Sequence, residues 1–190
     1  MRDAERIRAG LLEVAALATR TAELADRIAR AAAAMRECVD RGGTLFFAGN
    51  GGSAADAQHI ATEYVVRFHR AQHRPLRAIA LTTDTSILTA AANDFGFDRI
   101  FARQVEALGA LGDVLVLHST SGNSENLLVA ARTAREQGMR TIALLGGDGG
   151  ALQHEVELAI LVPASTTARI QEMHLAIEHE ICALLTEAHT

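Results

Sequence analysis

Two loops and two helical stretches carry residue types that could do chemistry. The first loop, Gly49-Asn50-Gly51-Gly52-Ser53-Ala54, follows an apolar run and opens a helical pattern. Its glycines let backbone N–H groups approach an anion or a hydroxyl closely, at the positive end of a helix. The same residues fit the loose dinucleotide pattern G-x-G-x-x-A. A ribose-binding acid is expected about twenty residues further on, whereas the first acid past the next apolar run is Asp84, so that reading is weak. The bland alternative is a tight strand-to-helix turn that binds nothing. The second loop, Ser119-Thr120-Ser121-Gly122-Asn123-Ser124, offers four hydroxyls, a glycine and a helix start. These can cradle a phosphate without any cation. Capping the helix needs only one such residue, so four hydroxyls favour a ligand.

His59 and Glu63 lie four apart on one helical face. A pair at that spacing can ligate one metal, share a proton, or simply hydrogen-bond at a surface. On the last helical stretch Gln171 and His179 are a little over two turns apart and share one broad stripe. His174, turned by about 60° from Gln171, reads as a packing or hydrogen-bonding histidine. His69 and His73 read as a solvated loop. His118 closes a strand beside the second loop, as packing or as a ligand contact. Glu178 and Glu180 read as a solvated helix face.

The elements that must position these groups alternate along the chain. Residues 3–40 hold Ile7, Leu11, Val14, Leu17, Leu24 and Ile28 at helical spacing, one long helix or a helix pair that ends at Gly42-Gly43. Its apolar face precedes any sheet and is expected to pack on a partner subunit. Short apolar runs at 44–48, 77–81, 113–118, 140–145 and 157–162 read as strands. Helices are expected over about 53–68, from 124 to 138, and over 167–188. This is an α/β pattern with a five-stranded parallel sheet flanked by helices. Ligands in such sheets sit at the carboxyl ends of the strands.

Composition narrows the chemistry. The chain has 190 residues and a formal net charge of -5, about one domain by size. Every one of the 18 basic residues is Arg, which excludes a Schiff-base lysine and a Walker-type lysine. No basic cluster suggests nucleic acid. No apolar run is long enough for a membrane span, and the acidic N-terminus is unlike a signal peptide. Cys38 and Cys182 read as reduced thiols of a cytoplasmic protein.

Taken together, residues 48–63, 81–97, 112–126 and 169–179 resemble the sugar-isomerase (SIS) domain family, and within it the phosphoheptose isomerases. The resemblance spans about residues 42–186. It implies a single three-layer SIS domain over 1–190, with 1–41 as an N-terminal helical region and 42–190 as the α/β core. It implies aldose–ketose isomerisation of sedoheptulose 7-phosphate through an enediol. The implied metal is zinc, one per subunit, on His59, Glu63, Gln171 and His179. The implied catalytic residues are Glu63 as base and His179 as partner acid. The sugar phosphate would be held by Asn50, Gly51, Gly52, Ser53, Glu63, Arg67, Asn93, Asp94, Ser119, Thr120, Ser121, Ser124 and Gln171, with Asp56 orienting His59. The family also implies a homotetramer with active sites between subunits. His118 and the segment before Pro75 depart from the common pattern. Two other readings stay open: a non-catalytic SIS binding protein of the DnaA-associating type, and an isomerase of another phosphosugar.

Overall fold

The computed structural model describes residues 2–68 and 74–187. The predicted solvated loop with His69 and His73, and the last residue of the predicted final helix, lie outside these. The N-terminal helical region is a helix pair: α1 (Asp3–Thr21) and α2 (Ala25–Asp40), joined by a short 3-10 turn at Ala22–Leu24. Then follow β1 (Leu45–Gly49), α3 (Gly52–Val65), β2 (Ala78–Ala80), α4 (Thr85–Phe95), α5 (Ala102–Leu108), β3 (Val114–Ser119), α6 (Glu125–Glu136), β4 (Arg140–Gly146), β5 (Leu158–Val162) and α7 (Thr167–Glu187). All five predicted strands are present and all pair in parallel, in the order β2-β1-β3-β4-β5.

The strands are short and apolar because both faces are covered. One face packs Leu45, Phe47, Val114, Val116, Ile142 and Leu144 against α2, α3 and α7. The other packs Phe46, Leu115, Leu117 and Leu145 against α4, α5 and α6. Asp113 fixes the start of β3. Its Oδ1 accepts from the Thr44 N–H at 2.8 Å and its Oδ2 from the Ala110 N–H at 3.0 Å. Helices α4 and α5 are absent from the sequence-based expectation. The start of α4 also removes the dinucleotide reading: Asp84 is its N-cap, accepting from the Ile87 N–H at 2.9 Å.

From β1 the chain steps to β2 on one side, then crosses to β3 on the other. The strand order therefore reverses between β1 and β3, where such sheets open a ligand crevice. Gly49 pairs with His118, so the two loops that follow β1 and β3 leave the sheet level with each other. The second loop is pressed against the turn after β4. A Cβ on Gly122, whose φ is +66°, would stand 1.9 Å from the Gly149 carbonyl oxygen. No side chain fits there.

Two predictions follow from packing. Gly122→Ala should lower stability by about 2 kcal/mol or more, since left-handed backbone and overlap both oppose a Cβ; a urea melt matching wild type would contradict this. The second concerns His174, which is fully buried between α7 and the sheet. Burial, helped by the nearby His118, pushes its pKa down to about 3. Unfolded, it titrates near 6.5, so between these values the unfolded chain binds the extra proton. Stability should fall as pH drops through that window, on the order of a few kcal/mol, and be restored above it. His174→Leu should flatten this slope in urea titrations from pH 7.5 to 4.5; an unchanged slope would refute the assignment.

Candidate functional site

The two loops enclose a cavity of about 320 Å³ at the switch between β1 and β3. Its lining holds Asn50, Gly51, Gly52, Ser53, Ser119, Thr120, Ser121, Ser124 and Gln171, together with His118 and Thr167. Three helices, α3, α6 and α7, start at this cavity, so their free N–H groups and positive ends face it. Gly52 lies close under Gln171: a Cβ there would stand 2.6 Å from Gln171 Nε2, so that amide would have to move. The Asn50 and Asn126 amides donate to each other at 2.9 and 2.8 Å, clamping the first loop to α6.

The hydroxyls divide into two kinds. Ser119 Oγ accepts from the Gly122 N–H at 3.0 Å, and Ser121 Oγ from the Asn123 N–H at 3.2 Å. These bonds shape the loop and leave each O–H free to donate elsewhere. Ser124 occupies the N-cap of α6, yet its side chain makes no capping bond. A serine at that position that does not cap its helix is available to a ligand, which favours the cradle reading over the simple cap.

The second group lies further along α3 and α7. His59 Nε2 stands 2.9 Å from His179 Nε2, and Glu63 Oε1 stands 3.6 Å from the same His59 nitrogen. Two ring nitrogens at 2.9 Å hold one proton between them. Burial, with His59 adding to it, lowers the pKa of His179, so His179 is suited to be the neutral acceptor of the pair. Phe68 stacks on the His179 ring with centroids 5.6 Å apart.

Two imidazoles and a carboxylate are donor types that zinc takes. On a tetrahedral ion their nitrogens would stand roughly 3.3 Å apart. The observed 2.9 Å is that of a ring-to-ring hydrogen bond. Among the described residues no three His, Cys, Asp or Glu side chains are set as ligands of one ion. The donor chemistry fits. Gln171 Nε2 lies 3.4 Å from Ser53 Oγ, in the cradle.

Other expected positions fall elsewhere. Asn93 and Asp94 are exposed on α4, outside the cavity lining, with Asn93 Nδ2 donating to Asp94 Oδ1 at 2.7 Å. Arg67 is exposed just past the end of α3. Among the described residues no hydrogen bond joins Asp56 to His59, though the two interact electrostatically, and Asp56 Oδ2 is buried without a hydrogen-bond partner. Burial raises its pKa. The reading of Glu178 as solvated is overturned. It is 1% exposed and accepts from His118, Nε2 to Oε1 at 3.0 Å; Glu180 is exposed as expected. His118 borders the cavity but is itself fully buried, with its Nε2 engaged by Glu178. Asn126 and Thr167 were not legible as site residues, because a lone polar residue at a helix start reads as a cap.

Residues 11–146 match the family model for the SIS domain. Over 163 residues the chain is 56% identical to the phosphoheptose isomerase of Geobacter sulfurreducens, covering 86% of each chain. Over 184 residues it is 47% identical to that of Rhodospirillum rubrum, covering 97% of each. The solved phosphoheptose isomerase from Francisella tularensis superposes with a TM-score of 0.91 at 39% identity, covering 98% of this chain and 100% of that one. The chain belongs to the SIS-domain family and, within it, to the phosphoheptose isomerases.

Proposed function

We propose that this chain interconverts sedoheptulose 7-phosphate and D-glycero-D-manno-heptose 7-phosphate through an enediol, the opening step of nucleotide-activated heptose synthesis. The observation that carries this reading is the shared origin and direction of α3 and α7. Both start at a hydroxyl-lined cavity and run away from it, bringing His59, Glu63 and His179 together further along. From Gly52 to His59 is seven residues and from Gln171 to His179 eight, or about 10–12 Å along a helix. An extended seven-carbon chain with a terminal phosphate is about 10 Å long. A substrate with its phosphate in the cradle thus reaches the acid–base group with its first two carbons.

The steps follow from the side chains. Helix N-termini and the Ser119–Ser124 hydroxyls take the phosphate dianion, fixing position without taking part in bond making. The Glu63 carboxylate removes the proton from carbon 1 of the ketose and returns it to carbon 2. His179, neutral because of its burial, carries the proton that moves between the two oxygens. Gln171, held at Ser53, donates to a substrate hydroxyl between the two ends. Zinc would be held by His59, Glu63 and His179, with Gln171 as the family's fourth ligand. When bound it supplies Lewis-acid stabilisation for charge developing on the carbonyl oxygen.

The same reading includes a homotetramer. Ile7, Leu11 and Leu12 on α1 are 64–67% exposed, an apolar face suited to a second copy. Asn93, Asp94 and Arg67 are exposed outside their own chain's cavity and would enter a site only where subunits meet. The cytoplasm suits two buried, unpaired thiols, with burial pushing Cys38 up to about 11. No described helix is long and apolar enough to cross a membrane.

The test is turnover of sedoheptulose 7-phosphate by the purified protein, with chelator and with zinc restored. Glu63→Gln should lower kcat by about 10²–10⁴-fold while inorganic phosphate still competes for the cradle. A fully active Glu63→Gln enzyme would overturn the assignment of the base. A folded wild-type protein without turnover in either condition would favour a non-catalytic binding role.

A further inference from the structure

Strand β3 is buried along its whole length, and the face that packs against α2, α3 and α7 carries Val114 and Val116. The next position on that face is His118, and it meets a buried carboxylate, Glu178. Enclosing an imidazole and a carboxylate is costly, and an apolar pair of similar volume would serve packing as well or better. What the pair does have is location. His118 is the chain neighbour of Ser119 in the cradle, and Glu178 is the chain neighbour of His179. One hydrogen bond, between residues 60 apart in sequence, therefore joins the anion-binding end of the site to the acid–base end. A ring stack extends the link. Phe47 lies against His118 with centroids 6.4 Å apart and against Tyr64 at 5.8 Å, and Tyr64 is the chain neighbour of Glu63.

We propose that His118 and Glu178 are positioning residues for the isomerisation: their buried hydrogen bond fixes the rotation of α7 relative to the phosphate cradle. The inference rests on the isomerase reading. On a helix, successive side chains are about 100° apart. Holding Glu178 against β3 therefore dictates where His179 points. Turning α7 by about 10° moves a side-chain tip some 6 Å from the axis by roughly 1 Å, a misplacement that can cost about 10²-fold in rate. An apolar contact at 118 and 178 would leave that rotation to packing alone, which is non-directional.

The experiment compares wild type, His118→Gln, and the double variant His118→Leu with Glu178→Met, all on sedoheptulose 7-phosphate. The double variant removes both members of the pair together, so neither is left buried without the other, and it keeps an apolar core. It is expected to fold, to retain competition by inorganic phosphate within about twofold, and to lose about 10- to 100-fold in kcat. His118→Gln can still donate to Glu178 and should keep kcat within about fivefold of wild type. A double variant with wild-type kcat would overturn the proposal, leaving the pair a mere structural filler. If the double variant does not fold, His118→Phe replaces it in the comparison with His118→Gln, since only glutamine donates; equal kcat values would overturn the proposal. An inactive wild type would instead sink the isomerase reading, and this inference with it.

Discussion

The close packing of α3 on α7 is the constraint from which the site follows. The buried stripe of α3 is Ser53, Ala57, Ile60, Ala61 and Tyr64, with small residues four apart at successive turns. The stripe of α7 runs Ile170, Met173, Ile177 and Ile181 in strict helical spacing. Small residues on one helix facing large ones on the other let the axes approach closely. The polar residues on the flank of each stripe are then forced into one another's reach. That is why His59 and His179, 120 residues apart, come within 2.9 Å. A helix is a stiff ruler, so the same packing sets how far this group stands from the N-termini at the cradle.

Most of the framework was legible in the sequence because parallel strands buried on both faces announce themselves as apolar runs stopped by glycine or proline. The loops at 49–54 and 119–124 were legible for a similar reason: they combine residue types that simple turns do not need. Helices α4 and α5 were not. Thr85–Phe95 opens with threonine, serine and a β-branched isoleucine, all modest helix formers. Ala102–Leu108 is only two turns long, too short to show a period. Asp84, considered as a ligand for ribose, was instead the sign that a helix begins.

The buried pair shows the limit of reading one chain by residue type. A glutamate on a helix beside another glutamate reads as solvated, since carboxylates are seldom buried unless paired. The partner that reverses the inference is on a strand 60 residues earlier, and nothing local in the sequence says that the two will meet. Gln171 is the simpler case: its helical spacing puts it on one stripe of α7 with His179, and its Nε2 lies 3.4 Å from Ser53 Oγ.

The separation between cradle and acid–base group also matters electrostatically. A phosphate dianion must be bound tightly without dictating the charge state of the base. At about 10 Å and an effective dielectric constant near 20, each unit of charge perturbs a carboxylate by about 2 kcal/mol; at 4 Å the figure is about 4. Helix N-termini and hydroxyls supply the anion's donors without a full positive charge in the chain's own cavity. The chain has no lysine and its cavity lining contains no arginine, so dipoles and hydroxyls hold the phosphate at one end of the substrate while the acid–base group works at the other.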